Sequence, residues 1–131
     1  MKMLVDTSVW SHAFRRKEQS ALIEKLSEAI LESLVVMIGP VRQELLSGIS
    51  DMVVFDRLKS HLRSFDDLTI TASDYETAAE YYNTCRKNGV HGSHIDFLIC
   101  AVAYNNDLMI FTTDKDFQHY AKYLPIRLFK L

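Results

Sequence analysis

The chain has 131 residues, of which 48% are hydrophobic and 24% charged, with a formal net charge of -2. A chain of this length closes one hydrophobic core without disulfides or a metal staple, and the composition lies far from that of disordered sequences. A charge balance this close to zero excludes a protein that holds nucleic acid by bulk electrostatics, which needs a broad excess of Lys and Arg, but it leaves room for local basic patches.

Met3 to Val5 is an apolar run of strand type that stops on Asp6, with Thr7 and Ser8 immediately after it. From Ser8 to Lys17 the pattern reads as a first helix ending in the basic run Arg15-Arg16-Lys17. In "QSALIEKLSEAILES" the apolar positions Leu22, Ile23, Leu26, Ala29 and Ile30 recur at helical spacing with Glu and Lys between them, which is an amphipathic helix. "LVVMI" is a β-branched run closed by Gly39-Pro40. Pro at the first helical position suits a helix carrying Val41 to Leu46, and Gly48 ends it. Asp51 to Phe65 is again helical, with Arg57, Lys59 and Arg63 on its polar side, and "DLTI" reads as a short strand. Ser73 followed three residues later by Glu76 has the form of a capping box for a helix through Tyr75, Ala78, Ala79, Tyr82 and Cys85 that stops near Asn88-Gly89. In "HGSHIDFLICAVAYNND" the residues Ile95, Leu98, Ile99 and Val102 make one apolar stripe. "LMIFTT" is a strand, "DKDFQHYAKYL" a short helix and "IRLFKL" a last strand.

Short apolar strands alternating with helices indicate a parallel sheet covered on both faces. The fold class is α/β, and with four glycines, two prolines and no linker-like stretch, residues 1–131 are expected to form a single domain. Cys85 and Cys100 each lie in an apolar helical pattern without metal-ligand spacing, so they read as reduced core residues of a cytoplasmic protein. No basic-then-apolar leader opens the sequence and no apolar stretch approaches bilayer length, so neither secretion nor membrane insertion is expected.

The acids have a pattern of their own. Asp6 follows the first strand, Asp114 and Asp116 follow "LMIFTT", Glu44 lies early in the helix after "LVVMI", and Asp96 opens the helix leading into "LMIFTT". Each has an ordinary structural explanation. Ser93 with Asp96 and Thr113 with Asp116 fit a helix cap, Asp6 fits a cap for the first helix, and Glu44 fits a surface acid. Capping does not require, however, that the acids follow strands and gather at one edge of one sheet, the edge where such folds build sites. Carboxylates brought together there either protonate or recruit a cation, and hard oxygen donors without His or Cys select Mg²⁺ or Mn²⁺. A cation so held serves phosphodiester hydrolysis well.

At this point the chain resembles the PIN-domain family, and in particular its VapC-type toxin ribonucleases. The resemblance covers essentially the whole chain and rests on "MLVDTSVW", "PVRQELLSG" with Glu44, "GSHIDFLICAVA" with Asp96, and "IFTTDKDF" with Asp114 and Asp116, in that order. It implies a three-layer α/β/α sandwich with a central parallel sheet, an Mg²⁺- or Mn²⁺-dependent endoribonuclease, a homodimer, and a small antitoxin protein that blocks the active site. Carried over by position, Asp6, Glu44, Asp96 and Asp114 are the catalytic acids, with Asp6, Asp96, Asp114 and Asp116 as metal ligands; which of Asp114 and Asp116 is the direct ligand stays open. Thr7 and Thr112 match hydroxyls that bond within the site, or equally orient a turn. Arg15, Arg42, Arg86, Lys87 and His94, with Arg16, Lys17 and His91, are the candidate RNA contacts, against the plainer reading of a solvated face. His94 and Phe97 are bulkier than the residues common at those places. Surplus apolar surface on Leu22–Leu34 and Met52–Leu62, including Val53, Val54 and Phe55, would suit an antitoxin peptide, although core burial explains most of it.

Other readings remain. An aspartyl-phosphate phosphatase would need a second Asp where Ser8 stands, and a nucleotide binder would need a Gly-rich loop after a strand, which is missing. A structure-specific DNA nuclease of the same fold usually carries additional arches. A non-catalytic RNA- or protein-binding module on a degenerate nuclease fold would be expected to lose part of its acid set, which is complete here.

Overall fold

The computed structural model describes residues 1–15 and 19–131. Three parallel strands, β1 (Met3–Val5), β2 (Val35–Val36) and β3 (Met109–Phe111), form a sheet in the order β2-β1-β3. Met3 and Leu4 of β1 stand opposite Val35 and Val36 on one side, and Met3, Leu4 and Val5 stand opposite Met109, Ile110 and Phe111 on the other. Leu4, Val5 and Ile110 are wholly buried, as strands covered on both faces must be.

Among the described residues seven helices flank the sheet: α1 (Thr7–Arg15), α2 (Ala21–Leu31), α3 (Gly39–Leu46), α4 (Met52–Leu62), α5 (Ala72–Lys87), α6 (His94–Asn105) and α7 (Asp116–Tyr120). α5 and α6 pack as a pair with α6 against β1 and β3, while α1 packs on α2 and α3, and α3 on α4. The result is a three-layer α/β/α sandwich. Arg16 and Lys17, the end of the basic run after Arg15, lie outside the described residues.

Several elements differ from the sequence expectation, each for a local reason. "DLTI" and "IRLFKL" are not strands but single parallel bridges at the two sheet edges, Met37 to Asp67 and Ile110 to Leu128. At the second of these, Ile110 donates its amide to the Arg127 carbonyl and accepts from Phe129, both at 2.8 Å, and the pairing extends no further. The helix after "DLTI" begins two residues earlier than the Ser73-Glu76 pattern indicates. Thr71 is its cap and Asp74 the reciprocating acid, at 3.4 Å and 2.9 Å. Asp74 is only 3% exposed and also accepts from Asn105 Nδ2 at 2.8 Å, so the contact with α6 selects this cap over the alternative. The middle of α6 carries no single stripe: Phe97 to Ala103 are all buried, because the helix is sandwiched between the sheet and α5.

Cys85 and Cys100 are buried and unbonded. Among the described residues no helix is long and apolar enough to cross a membrane.

Candidate active site

β1 lies between β2 and β3, so the chain leaves β1 in one direction for β2 and reaches β3 on the other side. That reversal opens a crevice beyond the carboxyl ends of β1 and β3. Asp6 stands at the end of β1 and is buried, its amide held by the Phe111 carbonyl at 2.8 Å. Its carbonyl starts α1 by accepting from Val9 and Trp10, but its carboxylate does not cap that helix. Oδ2 instead accepts from the Ser8 and Thr112 hydroxyls, both at 2.8 Å. These hydroxyls are 3.2 Å apart, and each also accepts a backbone amide, Ser8 Oγ from Thr113 and Thr112 Oγ1 from Asp114. A net of short bonds thus ties the ends of β1 and β3 together around one oxygen of Asp6.

Asp96 is placed by α6. Ser93 caps the helix by accepting the Asp96 amide at 3.1 Å, but the Asp96 carboxylate does not return the favour; its Oδ2 accepts from the Tyr120 hydroxyl at 2.7 Å. Asp114 accepts the Asp116 amide on Oδ1 at 2.9 Å, a turn that displaces the expected Thr113-Asp116 cap, and α7 begins without a side-chain cap. In all three acids one oxygen is committed to the protein. Among the described residues no hydrogen bond reaches Asp6 Oδ1, Asp96 Oδ1 or Asp114 Oδ2.

Glu44 comes from α3, whose Val41 and Leu45 are buried while Glu44 reaches solvent. It lines a groove of about 560 Å³ with Pro40, Tyr75, His94, Ile95 and Leu98. Partial burial in that wall raises its pKa, the charges of Asp6 and Asp96 raise it further, and the neighbouring Thr7 hydroxyl opposes the shift. Thr7 Oγ1 is itself buried and, among the described residues, makes no direct hydrogen bond, so it acts on Glu44 from nearby. Asp96 is likewise raised, first by burial; the Tyr120 and Ser93 hydroxyls lower it, and the charges of Asp6 and Asp114 raise it. Asp6, Glu44, Asp96 and Asp114 therefore share one field. Asp116, exposed on α7, adds its charge to those of Asp96 and Asp114 around Tyr120.

No ion pair among the described residues neutralises any of these acids. As placed, no three described His, Cys, Asp or Glu side chains form a group that could hold a metal ion. The donor set is nevertheless all-carboxylate with hydroxyls behind it, and no ion pair among the described residues compensates its charge. Both properties fit a hard divalent cation such as Mg²⁺ or Mn²⁺.

The candidate phosphate contacts have different surroundings. Arg42 is taken up structurally: its guanidinium bonds the Leu62 and Phe65 carbonyls at 2.9 and 2.6 Å and the Asp67 carboxylate at 2.8 Å, which latches α3 to the end of α4. Arg15 and Arg86 are exposed, with Arg15 Nε bonded to the Ser11 carbonyl and Arg86 to the Tyr82 hydroxyl. Lys87 is exposed at the end of α5. His94 is exposed and stacks on Tyr82, with centroids 5.0 Å apart and planes 16° from parallel, on the wall that carries Glu44. Two residues were absent from the sequence expectation: Ser8, whose adjacency to Asp6 is a signal that could have found it, and Tyr120, whose approach to Asp96 has no sequence signal.

The fold and the site together define an α/β protein whose crevice holds acids that no ion pair among the described residues neutralises. The sequence profile of the PIN domain matches residues 3–123, and the chain belongs to the PIN domain family, a family of nucleases. A comparison with curated proteins gives no match. Among solved structures, FitAcB from Neisseria gonorrhoeae superposes with a TM-score of 0.80 at 22% identity, over 98% of this chain and 96% of that one. VapBC2 from Rickettsia felis, bound to a DNA fragment from its promoter, superposes at 0.79 and 17% identity, over 100% and 99% of the chains. VapBC-1 from nontypeable Haemophilus influenzae does so at 0.76 and 15% identity, over 99% and 98%. At these identities the likeness is one of fold.

Proposed function

We propose that the protein is an endoribonuclease dependent on Mg²⁺ or Mn²⁺, acting in the cytoplasm as the toxin of a toxin–antitoxin pair. The observation that carries this reading is the convergence of Asp6, Glu44, Asp96 and Asp114 on one field with no basic partner among the described residues. Asp6, Asp96 and Asp114 would hold the cation through the oxygens left uncommitted, with Asp116 beside them. When bound, the cation supplies positive charge against the phosphate and lowers the pKa of water.

The protein's own groups do the rest. The hydroxyls of Ser8 and Thr112 keep the Asp6 carboxylate oriented through two hydrogen bonds to Oδ2. Glu44, reaching solvent with a raised proton affinity, is suited to accept a proton from the attacking water. The groove beside it, walled by His94, Tyr75 and Ile95, offers the apolar and stacking surface that unpaired bases use. Arg15, Arg86 and Lys87 are the exposed cations assigned to flanking phosphates.

A small antitoxin protein and a second copy of the chain complete the proposal. Similar folds occur in the FitAB and VapBC complexes, and α4 offers Met52, Val53 and Val54 at 65%, 66% and 44% exposure as an apolar seat for a partner peptide. Incubating the purified protein with total cellular RNA and with single- and double-stranded DNA, in Mg²⁺, Mn²⁺ or chelator, tests the function. Discrete RNA cleavage that needs the cation and disappears in Asp6→Asn and Asp96→Asn, both still folded, is expected. Cleavage of DNA alone would replace the substrate. No cleavage of any kind by the folded protein would favour a binding module on a nuclease fold.

A further inference from the structure

Tyr120 is wholly buried at the end of α7, yet its hydroxyl ends on a carboxylate in the acidic crevice rather than on a backbone group. The ring is held on two sides, with Phe97 and Phe117 centroids 4.9 and 5.2 Å away. The hydroxyl is held on a third: a Cβ on Gly92 would collide with it and lie 2.7 Å from Tyr120 Cζ, so the loop before α6 closes on the phenol only because residue 92 has no side chain. Asp96 Oδ2 accepts from this hydroxyl at 2.7 Å, while Ser93 Oγ accepts the Asp96 amide.

We propose that Tyr120 is a positioning residue for the cation site: its packed ring and the absent side chain at Gly92 fix a hydroxyl that clamps Asp96 Oδ2 and so aims Oδ1 at the crevice. The inference rests on the cation-dependent reading above and deepens it. A buried tyrosine that served packing alone would not need its hydroxyl at this place, and the cavity would not need a glycine beside that hydroxyl. Outer hydrogen-bond partners of metal ligands typically contribute 10–100-fold in metal affinity by holding the ligand's orientation. The same device acts on Asp6 through Ser8 and Thr112, but there the clamping hydroxyls are visible beside the ligand in the sequence.

Binding of Mn²⁺ alone, read from the free-ion electron paramagnetic resonance signal, tests this without any substrate. In Tyr120→Phe the Mn²⁺ concentration at half-saturation is expected to rise about 10–100-fold while the protein in chelator stays folded. Gly92→Ala, whose Cβ would press on the hydroxyl and on Cζ and so push the phenol aside, is expected to move it in the same direction and serves if Tyr120→Phe does not fold. Leu26→Ala, a core change on α2 outside this device, should lower the melting temperature in chelator and leave half-saturation within about twofold. A Tyr120→Phe protein that binds Mn²⁺ like the wild type would overturn the positioning role alone. A wild-type protein that binds no Mn²⁺ would overturn the cation-dependent reading and the positioning role with it.

Discussion

At the scale of single residues, the site is a matter of which oxygen is tied and which is left. Asp6 Oδ2 is shared by Ser8 and Thr112, whose hydroxyls also touch each other, so their contributions should not add. Ser8→Ala and Thr112→Val are each expected to lower unfolding free energy in chelator by about 1 kcal/mol, with a coupling of at least about 0.5 kcal/mol in a double-mutant cycle measured by urea unfolding. Simple additivity would mean that the two hydroxyls act on Asp6 separately. Asp6, Glu44, Asp96 and Asp114 were legible as candidates because acids after strands and at helix starts stand out against apolar neighbours. Tyr120 was not, since an aromatic residue in a short helix reads as core, and it is core. The distance to Asp96 spans 24 positions and is set by the packing of α7 against α6. Arg42 reads in the sequence as a candidate phosphate contact, and only the fold reveals that its guanidinium also bonds the Leu62 and Phe65 carbonyls and the Asp67 carboxylate at the end of α4.

At the scale of elements, the start of α5 illustrates how two signals can overlap. "TASDYE" contains both Thr71-Asp74 and Ser73-Glu76 at capping spacing, and nothing local ranks them. Asn105 does, by binding Asp74 from α6. Thr71→Ala is therefore expected to cost about 1 kcal/mol and Asp74→Ala about 2 kcal/mol, whereas Ser73→Ala stays within about 0.5 kcal/mol, all by chemical denaturation. A large loss in Ser73→Ala would show that the helix starts later than described here. The short strands follow the same logic in reverse. β1 and β3 were readable from their apolar runs, but the segments at the sheet edges were over-read as strands because half-buried edge sequence has strand composition whether it pairs once or five times.

Across the whole molecule, burial couples the core to pH as well as to the cation. Tyr81, packed edge-on to Tyr104, has its pKa pushed up to about 12, first by burial and then by Tyr104, Cys100 and Glu80. Below pH 10 tyrosine is protonated in both the folded and unfolded states and the full stability is present. Between pH 10 and about 12 the unfolded chain gives up the proton while the folded one keeps it, so stability falls as pH rises. Tyr81→Phe should flatten that decline in melting temperature, and an unchanged slope would assign the alkaline loss elsewhere. In the other direction, Mn²⁺ should raise the melting temperature of the wild type but not of Asp96→Asn, because binding to the folded state alone adds to its stability and relieves the repulsion among the acids.

By itself the amino-acid sequence determined the class of fold, the order of most elements and the identity of the acids, because these depend on periodicity and on residue types that stand next to strand and helix ends. Tertiary structure alone decided which cap starts α5, that Arg42 is a latch, that Thr112 ties an oxygen of Asp6 and Tyr120 one of Asp96, and that Gly92 closes on Tyr120. Those outcomes depend on distances between residues 20 to 106 positions apart. Such distances are set by how helices pack on a shared core, and no local pattern of residues encodes them.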